Sequence, residues 1–213
     1  MDWRDAGLIG VLYDVGIEHR WLGLIGGRAV WGADLRRHYR DIATLGSSAG
    51  RGARVLDVPC GGGVAFRGIP RDGSWRYVAV DLAPVMLRRA RAVAERHELA
   101  NLALTQASVT ALPFAGATFD LCLSYFGLHC FPDPAAALAD MARVLRPGGL
   151  LRGTSVVRGG GRRQDAAIAV LRRFGVFGEV GTAADLASWL EAAGLGEIAV
   201  DRDGAVAYFT ARR

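Results

Sequence analysis

One short stretch of the chain has the residue types and spacing of a ligand-binding turn. It runs from Val55 to Gly63 as an apolar segment that carries an acid, Asp57, and ends in three glycines. Such a segment is typical of a buried parallel strand, and the glycines let the backbone pass close to a ligand. If a helix begins at Val64, the turn presents free backbone N–H groups and the positive end of the helix dipole to an anion. Because a carboxylate would repel a pyrophosphate and attract an ammonium, Asp57 favours an amino-acid-like cofactor.

A second acid, Asp81, follows the next apolar segment, Arg76 to Val80. At the end of the second strand of a doubly wound sheet, a carboxylate can accept hydrogen bonds from both hydroxyls of a ribose. Considered alone, Asp81 also fits a cap for the helix that Pro84 opens. The glycine turn one strand earlier favours the ribose interpretation.

Strand-like and helix-like segments alternate five times, and a hairpin ends the chain. This order predicts an α/β fold: a doubly wound, Rossmann-like, mostly parallel sheet with one antiparallel strand near an edge. Ligands bind such sheets at the carboxyl ends of the strands, so the glycine turn, Asp81, Ser108 and Tyr125 should share one site. The expected strands are 53–58, 76–80, 102–107, 120–126 and 150–157, the helices 64–69, 84–98, 134–145, 163–175 and 182–193, and the hairpin strands 198–200 and 205–210.

The first 46 residues are expected to form helices placed ahead of the sheet, and residues 47–213 the cofactor-binding domain. Apolar residues recur from Trp31 at steps of three and four, which predicts an amphipathic helix: Trp31, Leu35, Tyr39, Ile42 and Leu45. Three of the five tryptophans lie in the first 31 residues. These aromatic residues fit two roles, either packing the helices onto the domain or forming a lid over an apolar acceptor.

Composition narrows the class of protein. The 213 residues are 51% hydrophobic and 22% charged, as in an ordinary soluble domain. All 26 basic residues are scattered arginines, so the net charge of +5 does not predict a nucleic-acid partner.

Three cysteines, an odd number, favour a reducing cytoplasm. The acidic start is unlike a signal peptide, and residues 21–33 are too short for a membrane span, so we expect no integral membrane association. A monomer or homodimer is expected.

Four motifs in this order resemble the class I S-adenosylmethionine-dependent methyltransferases, in the small-molecule group that includes the ubiquinone and menaquinone biosynthesis methyltransferases. The resemblance extends from about Arg54 to the C-terminus. It implies a seven-stranded sheet with its last strand antiparallel and S-adenosylmethionine as cofactor. Together with the aromatic N-terminal segment, the motifs favour direct transfer of a methyl group to a small, apolar or aromatic acceptor, and we expect no metal. The motifs are Val55 to Gly63, Asp81, Leu112-Pro113-Phe114 with Phe119-Asp120, and Ala142 to Leu150.

The resemblance also implies roles for single residues. Two positions depart from the family's pattern: Pro59 stands where glycine is commoner, and Ser108 where an aspartate usually accepts from the adenine amino group. A neutral serine is the weaker acceptor, which predicts weaker cofactor binding. The implied contacts are the methionine part with Asp57, Pro59, Cys60, Gly61 and Gly63, the ribose with Asp81, the adenine with Leu82, Met86, Ser108 and Val109, and the methionyl end with Tyr125.

Methyl transfer needs alignment of nucleophile, methyl carbon and sulfur, and a general base only where the acceptor must lose a proton. His129, just after the fourth strand, is the candidate base and, with Tyr13, a candidate acceptor contact. Tyr13, His19 and His38 in the presumed lid are further possible bases. A lone histidine is more often structural, so both interpretations of His129 stay open.

Other functions fit parts of the same pattern. A nicotinamide-dependent dehydrogenase would share the glycine turn and Asp81, but Phe66 occupies the place of its third glycine, and a chain without lysine cannot carry Tyr-x-x-x-Lys. A cofactor-binding protein without catalysis is the other alternative. Nucleic-acid methylation is disfavoured, because Ser124-Tyr125-Phe126-Gly127 replaces the Asn/Asp-Pro-Pro-Tyr/Phe signature.

Overall fold

The computed structural model describes residues 20–99 and 101–213, with seven strands in one sheet. The strands are β1 (Arg54–Asp57), β2 (Arg76–Asp81), β3 (Leu102–Gln106), β4 (Phe119–Tyr125), β5 (Leu145–Val156), β6 (Gly196–Asp203) and β7 (Val206–Arg212). The helices are α1 (Arg20–Gly26), α2 (Arg36–Ala43), α3 (Pro84–Arg96), α4 (Pro134–Val144), α5 (Arg162–Arg173) and α6 (Ala183–Ala192). A π-helical turn (Gly27–Trp31) and 3₁₀ turns at Leu45–Ser47, Val64–Gly68 and Leu128–Cys130 complete the described elements.

The strand order is β3-β2-β1-β4-β5-β7-β6. Strands β1 to β5 pair in parallel, whereas β7 is antiparallel to both β5 and β6. This arrangement confirms the prediction of a mostly parallel seven-stranded sheet with its last strand antiparallel. The order reverses between β1 and β4, which places a crevice where their carboxyl ends diverge.

Each face of the sheet is buried under helices, because side chains alternate along a strand. In β4, Cys122 packs in the cluster that contains α4 and α6, whereas Leu121 and Leu123 pack on the other face with α2 and α3. A third cluster, around Trp31 and Ile168, joins the π-helical turn and α5 to β5 and β7.

Local sequence signals act at helix ends as predicted. Asp133 caps α4, its side chain accepting the Ala136 N–H at 2.8 Å, with Pro134 at the first helical position. Thr182 and Asp185 form the capping box of α6. Gly204 forms the bend of the final hairpin with φ of 56°.

Several elements differ from the sequence prediction: the expected helix 64–69 is a 3₁₀ turn, and the strand expected at 198–200 spans Gly196–Asp203. The helix expected from Trp31 begins only at Arg36, because Gly32 takes a left-handed conformation (φ 65°) that ends the preceding turn. Strand β5 begins at Leu145 rather than Leu150, because Leu145 already pairs with Phe119 before the register shifts.

The N-terminal part is described only from Arg20 onward. Helices α1 and α2 and the turn between them lie ahead of the sheet, but Tyr13 and His19 fall outside the described residues. The division at residue 46 and the lid therefore stay predictions. No helix within the described ranges is both long and apolar enough to cross a membrane.

Helix α2 contacts the 3₁₀ turn that follows the glycine turn, at a glycine without space for a side chain. A Cβ on Gly68 would lie 2.0 Å from the Ile42 carbonyl oxygen and 2.9 Å from the Leu45 Cβ. The docking of the N-terminal helices therefore depends on this glycine.

We expect Gly68→Ala to lower the free energy of unfolding by about 1–3 kcal/mol, since backbone on both sides must move. Gly46→Ala is the control, because its Cβ would meet nothing closer than 3.6 Å. That change should stay within about 0.5 kcal/mol in urea unfolding. Equal effects of the two substitutions would contradict the close contact.

Candidate cofactor and acceptor site

A cavity of about 720 Å³ opens at the carboxyl ends of the first four strands, where the strand order reverses. Nine of the sequence-predicted site residues line it: Pro59, Cys60, Gly61, Asp81, Leu82, Met86, Ser108, Val109 and Tyr125. Asp57, Gly63 and His129 are not in its wall. The structure thus gathers most of the predicted contacts in one place, while their roles toward a cofactor stay predictions.

The carboxylate of Asp81 joins the glycine turn to the end of β2. One oxygen, Oδ2, accepts the Gly61 N–H at 2.9 Å, and the other, Oδ1, accepts the Ala83 N–H at 2.9 Å. Each oxygen keeps a further lone pair, so the group can still accept hydrogen bonds at the cavity wall. Burial raises the pKa of Asp81, while the bonds from Ala83 and Gly61 oppose that shift.

The turn does not present the free N–H groups that the sequence predicted. The Cys60 N–H donates to the Val80 carbonyl at 2.8 Å, the Gly61 N–H to Asp81, and the Gly63 N–H to the Cys60 carbonyl at 2.9 Å. The following 3₁₀ turn is five residues long, too short for a substantial dipole. Three of the donors that were expected to be free are thus used within the protein, and anion binding by the turn stays a prediction.

Gly63 supports the turn from behind the cavity. Its φ is 92°, and a Cβ there would lie 2.7 Å from the Phe66 ring. The ring of Phe66 in turn packs edge-on against Tyr77, at 5.7 Å between centroids. Gly63 thus fixes the shape of the turn, and the prediction that it contacts the cofactor has no support in the cavity wall.

Asp57 also lies behind the turn. It is buried, and its Oδ2 accepts the Tyr77 hydroxyl at 2.9 Å. Burial raises the pKa of Asp57 to about 8, and the nearby Asp81 adds to the rise. We correct the expectation of a direct contact with the cofactor ammonium, because Asp57 does not reach the cavity and burial disfavours its charge.

Ser108, which follows β3, also lines the cavity. Its Oγ lies 3.0 Å from the Thr110 hydroxyl, and the Thr110 N–H is directed at it from 3.4 Å. The hydroxyl can therefore donate to one partner and accept from another. Leu82, Met86 and Val109 supply apolar surface on the same side, as expected for the wall beside a planar base.

His129 is placed as a structural residue. It is 1% exposed, its Nδ1 accepts the Val156 N–H at 3.1 Å, and its ring packs 4.5 Å from that of Phe177. Burial lowers the pKa of His129 to about 3. The prediction of His129 as general base and acceptor contact is corrected accordingly: a buried, hydrogen-bonded ring outside the cavity cannot reach an acceptor.

Tyr125 connects the cavity wall to a second buried histidine. The ring of His38, on α2, lies 5.4 Å from that of Tyr125 and 5.0 Å from that of Phe126. Among the described residues, both His38 nitrogens and the Tyr125 hydroxyl lack a hydrogen-bond partner. Burial lowers the pKa of His38 to about 3 and raises that of Tyr125. Unpaired buried groups of this kind are usually satisfied by water or a ligand.

The sequence pattern did not predict the part of the cavity wall that lies beyond Tyr125. The segment after β4 and the start of α4 contribute a mostly apolar surface, and Phe126 holds a left-handed backbone conformation (φ 52°) within it. The signal was present in the unusual cluster of aromatic, cysteine and proline residues between β4 and α4. The members of this wall are Phe126, Cys130, Phe131, Pro132, Asp133 and Ala136.

The cavity is acidic although the chain is basic. Asp81 and Asp133 are the charged side chains among its described lining residues, and no arginine lines it. The buried carboxylate of Asp81 beside the glycine turn and the exposed carboxylate of Asp133 at the start of α4 favour a cationic ligand over a pyrophosphate. This charge suits the sulfonium and ammonium groups of S-adenosylmethionine and disfavours a dinucleotide.

Comparison with known proteins agrees with the geometry. The sequence model of a family described as "Methyltransferase domain" matches residues 56–152. Residues 56–152 therefore match a methyltransferase domain, and together the findings support a class I S-adenosylmethionine-dependent methyltransferase. S-adenosylmethionine is the cofactor that this family implies, and the cavity lining fits it with the glycine turn, the Asp81 carboxylate and the apolar side chains that follow β2 and β3.

The relatives that match in sequence cover only part of this chain. It is 36% identical over 128 residues to a malonyl-[acyl-carrier protein] O-methyltransferase of Pseudescherichia vulneris, covering 60% of this chain and 48% of that protein. It is 36% identical over 112 residues to a probable phthiotriol/phenolphthiotriol dimycocerosates methyltransferase 2 of Mycobacterium ulcerans, covering 52% and 42%. The chain thus spans less than half the length of these curated relatives.

A solved structure supports the fold over a longer part of the chain. The structure of a SAM-dependent methyltransferase from Aquifex aeolicus superposes with a TM-score of 0.61 at 19% identity. The superposition covers 87% of this chain and 92% of that one. At this identity the likeness concerns the fold alone.

The raised pKa of Asp57 predicts how stability depends on pH. The folded-state pKa of about 8 lies above the ordinary 3.8, so between these values the folded state holds a proton that the unfolded state has lost. The free energy of unfolding should therefore fall as pH rises from about 4 to 8, by at most about 1.4 kcal/mol per pH unit for this group.

Asp57→Asn keeps an acceptor for the Tyr77 hydroxyl and removes the titration. Urea unfolding at pH 5, 6, 7 and 8 should show a shallower decline for the variant than for the wild type. A smaller decline should remain, since the pKa of Asp81 is also raised. An unchanged pH slope would show that Asp57 is ionised in the folded protein.

Proposed function

We propose that the protein transfers a methyl group from S-adenosylmethionine to a small, apolar or aromatic acceptor by direct in-line transfer. One observation carries this proposal: a single cavity combines an acidic, glycine-turn side with an apolar, aromatic side. Its volume of about 720 Å³ lies within the roughly 300–1,000 Å³ of small-molecule sites.

The cofactor side is formed by residues that follow β1, β2 and β3. In this proposal the Asp81 carboxylate accepts from the ribose hydroxyls with the lone pairs that Gly61 and Ala83 leave free. Leu82, Met86 and Val109 pack on the adenine, and the Ser108 hydroxyl meets its edge. Bound there, the cofactor supplies a methyl group on a sulfonium, which needs no further activation.

The acceptor side is formed by the segment after β4. Phe126 and Phe131 offer aromatic faces, and Cys130, Pro132 and Ala136 fill the space between them. Phe126 keeps a left-handed backbone that costs on the order of 1–3 kcal/mol, a strain that recurs at functional sites. A planar or aliphatic acceptor packed here would displace water from the transfer path, which favours attack on the methyl carbon.

Catalysis then rests on alignment. None of the described histidines lines the cavity, so within residues 20–99 and 101–213 the titratable groups of the wall are Asp81, Asp133, Tyr125 and two cysteines. Burial raises the pKa of both the Tyr125 hydroxyl and the Cys130 thiol, so both stay protonated at neutral pH. Alignment alone can supply up to roughly 7–11 kcal/mol of the barrier.

We expect Asp81→Asn to weaken S-adenosylmethionine binding by about ten- to one-hundred-fold in isothermal titration, since a hydrogen bond to a charged group contributes roughly 1.5–3 kcal/mol. Asp72→Asn, at an exposed turn remote from the cavity, is the matched control and should bind like the wild type. Unfolding of both variants is measured in parallel, so that loss of fold is separated from loss of contact. If Asp81→Asn bound S-adenosylmethionine as tightly as the wild type does, the assignment of Asp81 to the ribose would be contradicted.

Transfer itself is tested with methyl-labelled cofactor and a panel of phenols, quinols and fatty acids. We expect label in at least one aromatic or apolar product, and a drop in transfer on Phe126→Ala without loss of cofactor binding. Cofactor binding without transfer to any compound would favour the alternative of a binding protein without catalysis.

A further inference from the structure

The exposed large hydrophobic side chains of the described residues are confined to two neighbouring elements. Six large hydrophobic side chains are exposed, and all belong to α1 with the turn after it, or to α5 with its C-terminal cap. Trp21 is 79% exposed, Ile25 65% and Phe174 63%. The others are Leu22, Val30 and Val170. Such grouping is uncommon on a domain whose remaining large apolar residues are covered.

The two elements pack side by side. Trp31 and Ile168 are buried in one cluster, and Leu24 and Leu171 pack against it from the two elements. The backbone at Gly32 lies beside the Gln164 side chain, 3.1 Å from where a Cβ would be. The inner sides of both elements are thus used in the core, and the exposed apolar residues lie on their outer sides.

Positive charge accompanies this surface. Helix α5 carries exposed arginines at both ends, Arg162 and Arg163 at its start and Arg172 and Arg173 at its end. None of these four forms an ion pair with a described residue in the structure. Acids also lie near this surface: Asp34 pairs with Arg28 of the turn after α1, Asp165 accepts the Gly159 N–H, and Glu179 shares a shallow depression with Arg172 and Arg173.

We propose that this surface, formed by α1, the turn after it and α5, binds the face of an anionic lipid bilayer. Exposed tryptophan, phenylalanine and aliphatic residues enter the interfacial region, while arginines beside them contact anionic headgroups. The unpaired arginines supply the charge complementarity that an anionic membrane requires and that a neutral apolar partner would leave unused. Binding is peripheral, in keeping with the lack of a membrane-spanning helix among the described residues.

The proposed membrane-binding surface lies next to the main cavity. Pro132 lines the main cavity and also the depression beside Arg172 and Arg173, so the end of α5 borders the acceptor side of the cavity. A membrane-bound protein would therefore meet acceptors that partition into lipid. The inference does not rest on the proposed function, because lipid binding is measured without cofactor or acceptor.

Sedimentation of the full chain with vesicles tests the proposal. Vesicles of phosphatidylcholine with phosphatidylglycerol should carry the protein down, vesicles of phosphatidylcholine alone far less, and salt should weaken the binding. Ile25→Ser with Phe174→Ser should lower the partition coefficient by at least about tenfold. Arg172→Gln with Arg173→Gln should lower it by about tenfold on anionic vesicles only.

Arg91→Gln with Arg96→Gln is the matched control, because it removes the same charge from exposed positions of α3, on another part of the molecule. It should bind like the wild type, and circular dichroism of all variants should be unchanged. Two results of the sedimentation assay would overturn the proposal: no sedimentation with anionic vesicles, or an equal loss of vesicle binding in the control variant. A third would be a homodimer in light scattering that Ile25→Ser with Phe174→Ser converts to a monomer, with no binding of the wild type to vesicles.

Discussion

The site depends on one carboxylate that accepts two backbone N–H groups. Asp81 joins the glycine turn after β1 to the start of α3 after β2, through Gly61 and Ala83. The turn cannot move without breaking a charge-assisted hydrogen bond, which is among the stronger contacts in a protein. The same carboxylate forms part of the cavity wall, so the group that shapes the site also supplies its charge.

Close backbone contacts fix the rest of the cavity around this bond. A Cβ on Gly127 would lie 2.1 Å from the Pro59 ring, so the end of β4 is held directly against the glycine turn. Phe66 fills the space behind Gly63 where a dinucleotide-binding turn needs a glycine or alanine for close helix packing. These contacts leave a cavity with an acidic side and an apolar side, which a pyrophosphate would not match.

Much of the fold could be predicted because local and global signals agree. The apolar strands, the Asp133 and Thr182 caps and the Asp203-Gly204 hairpin each reflect nearest-neighbour chemistry, and the structure confirms the sheet that they imply. Boundaries failed where tertiary contacts decide. The backbone at Gly32 interrupts a good apolar period, and β5 starts early because Leu145 finds a partner in Phe119.

The site was predicted unevenly for a related reason. Residues such as Asp81, Met86 and Ser108 follow strand ends, so topology places them together. Whether a side chain points into the crevice or behind it depends on packing that spacing does not encode. Asp57 therefore proved to be tied to Tyr77, and His129 to the Val156 amide. The apolar wall after β4 was missed because it comes from an irregular segment without a periodic pattern.

The central claim is that an acidic crevice, held by Asp81, selects a cationic cofactor. Parallel titration of the wild-type protein with S-adenosylmethionine and with NADH at low salt tests it most directly. We expect saturation by S-adenosylmethionine at micromolar concentration and no measurable binding of NADH. Tighter binding of the anionic dinucleotide, or no binding of S-adenosylmethionine at millimolar concentration, would contradict the account.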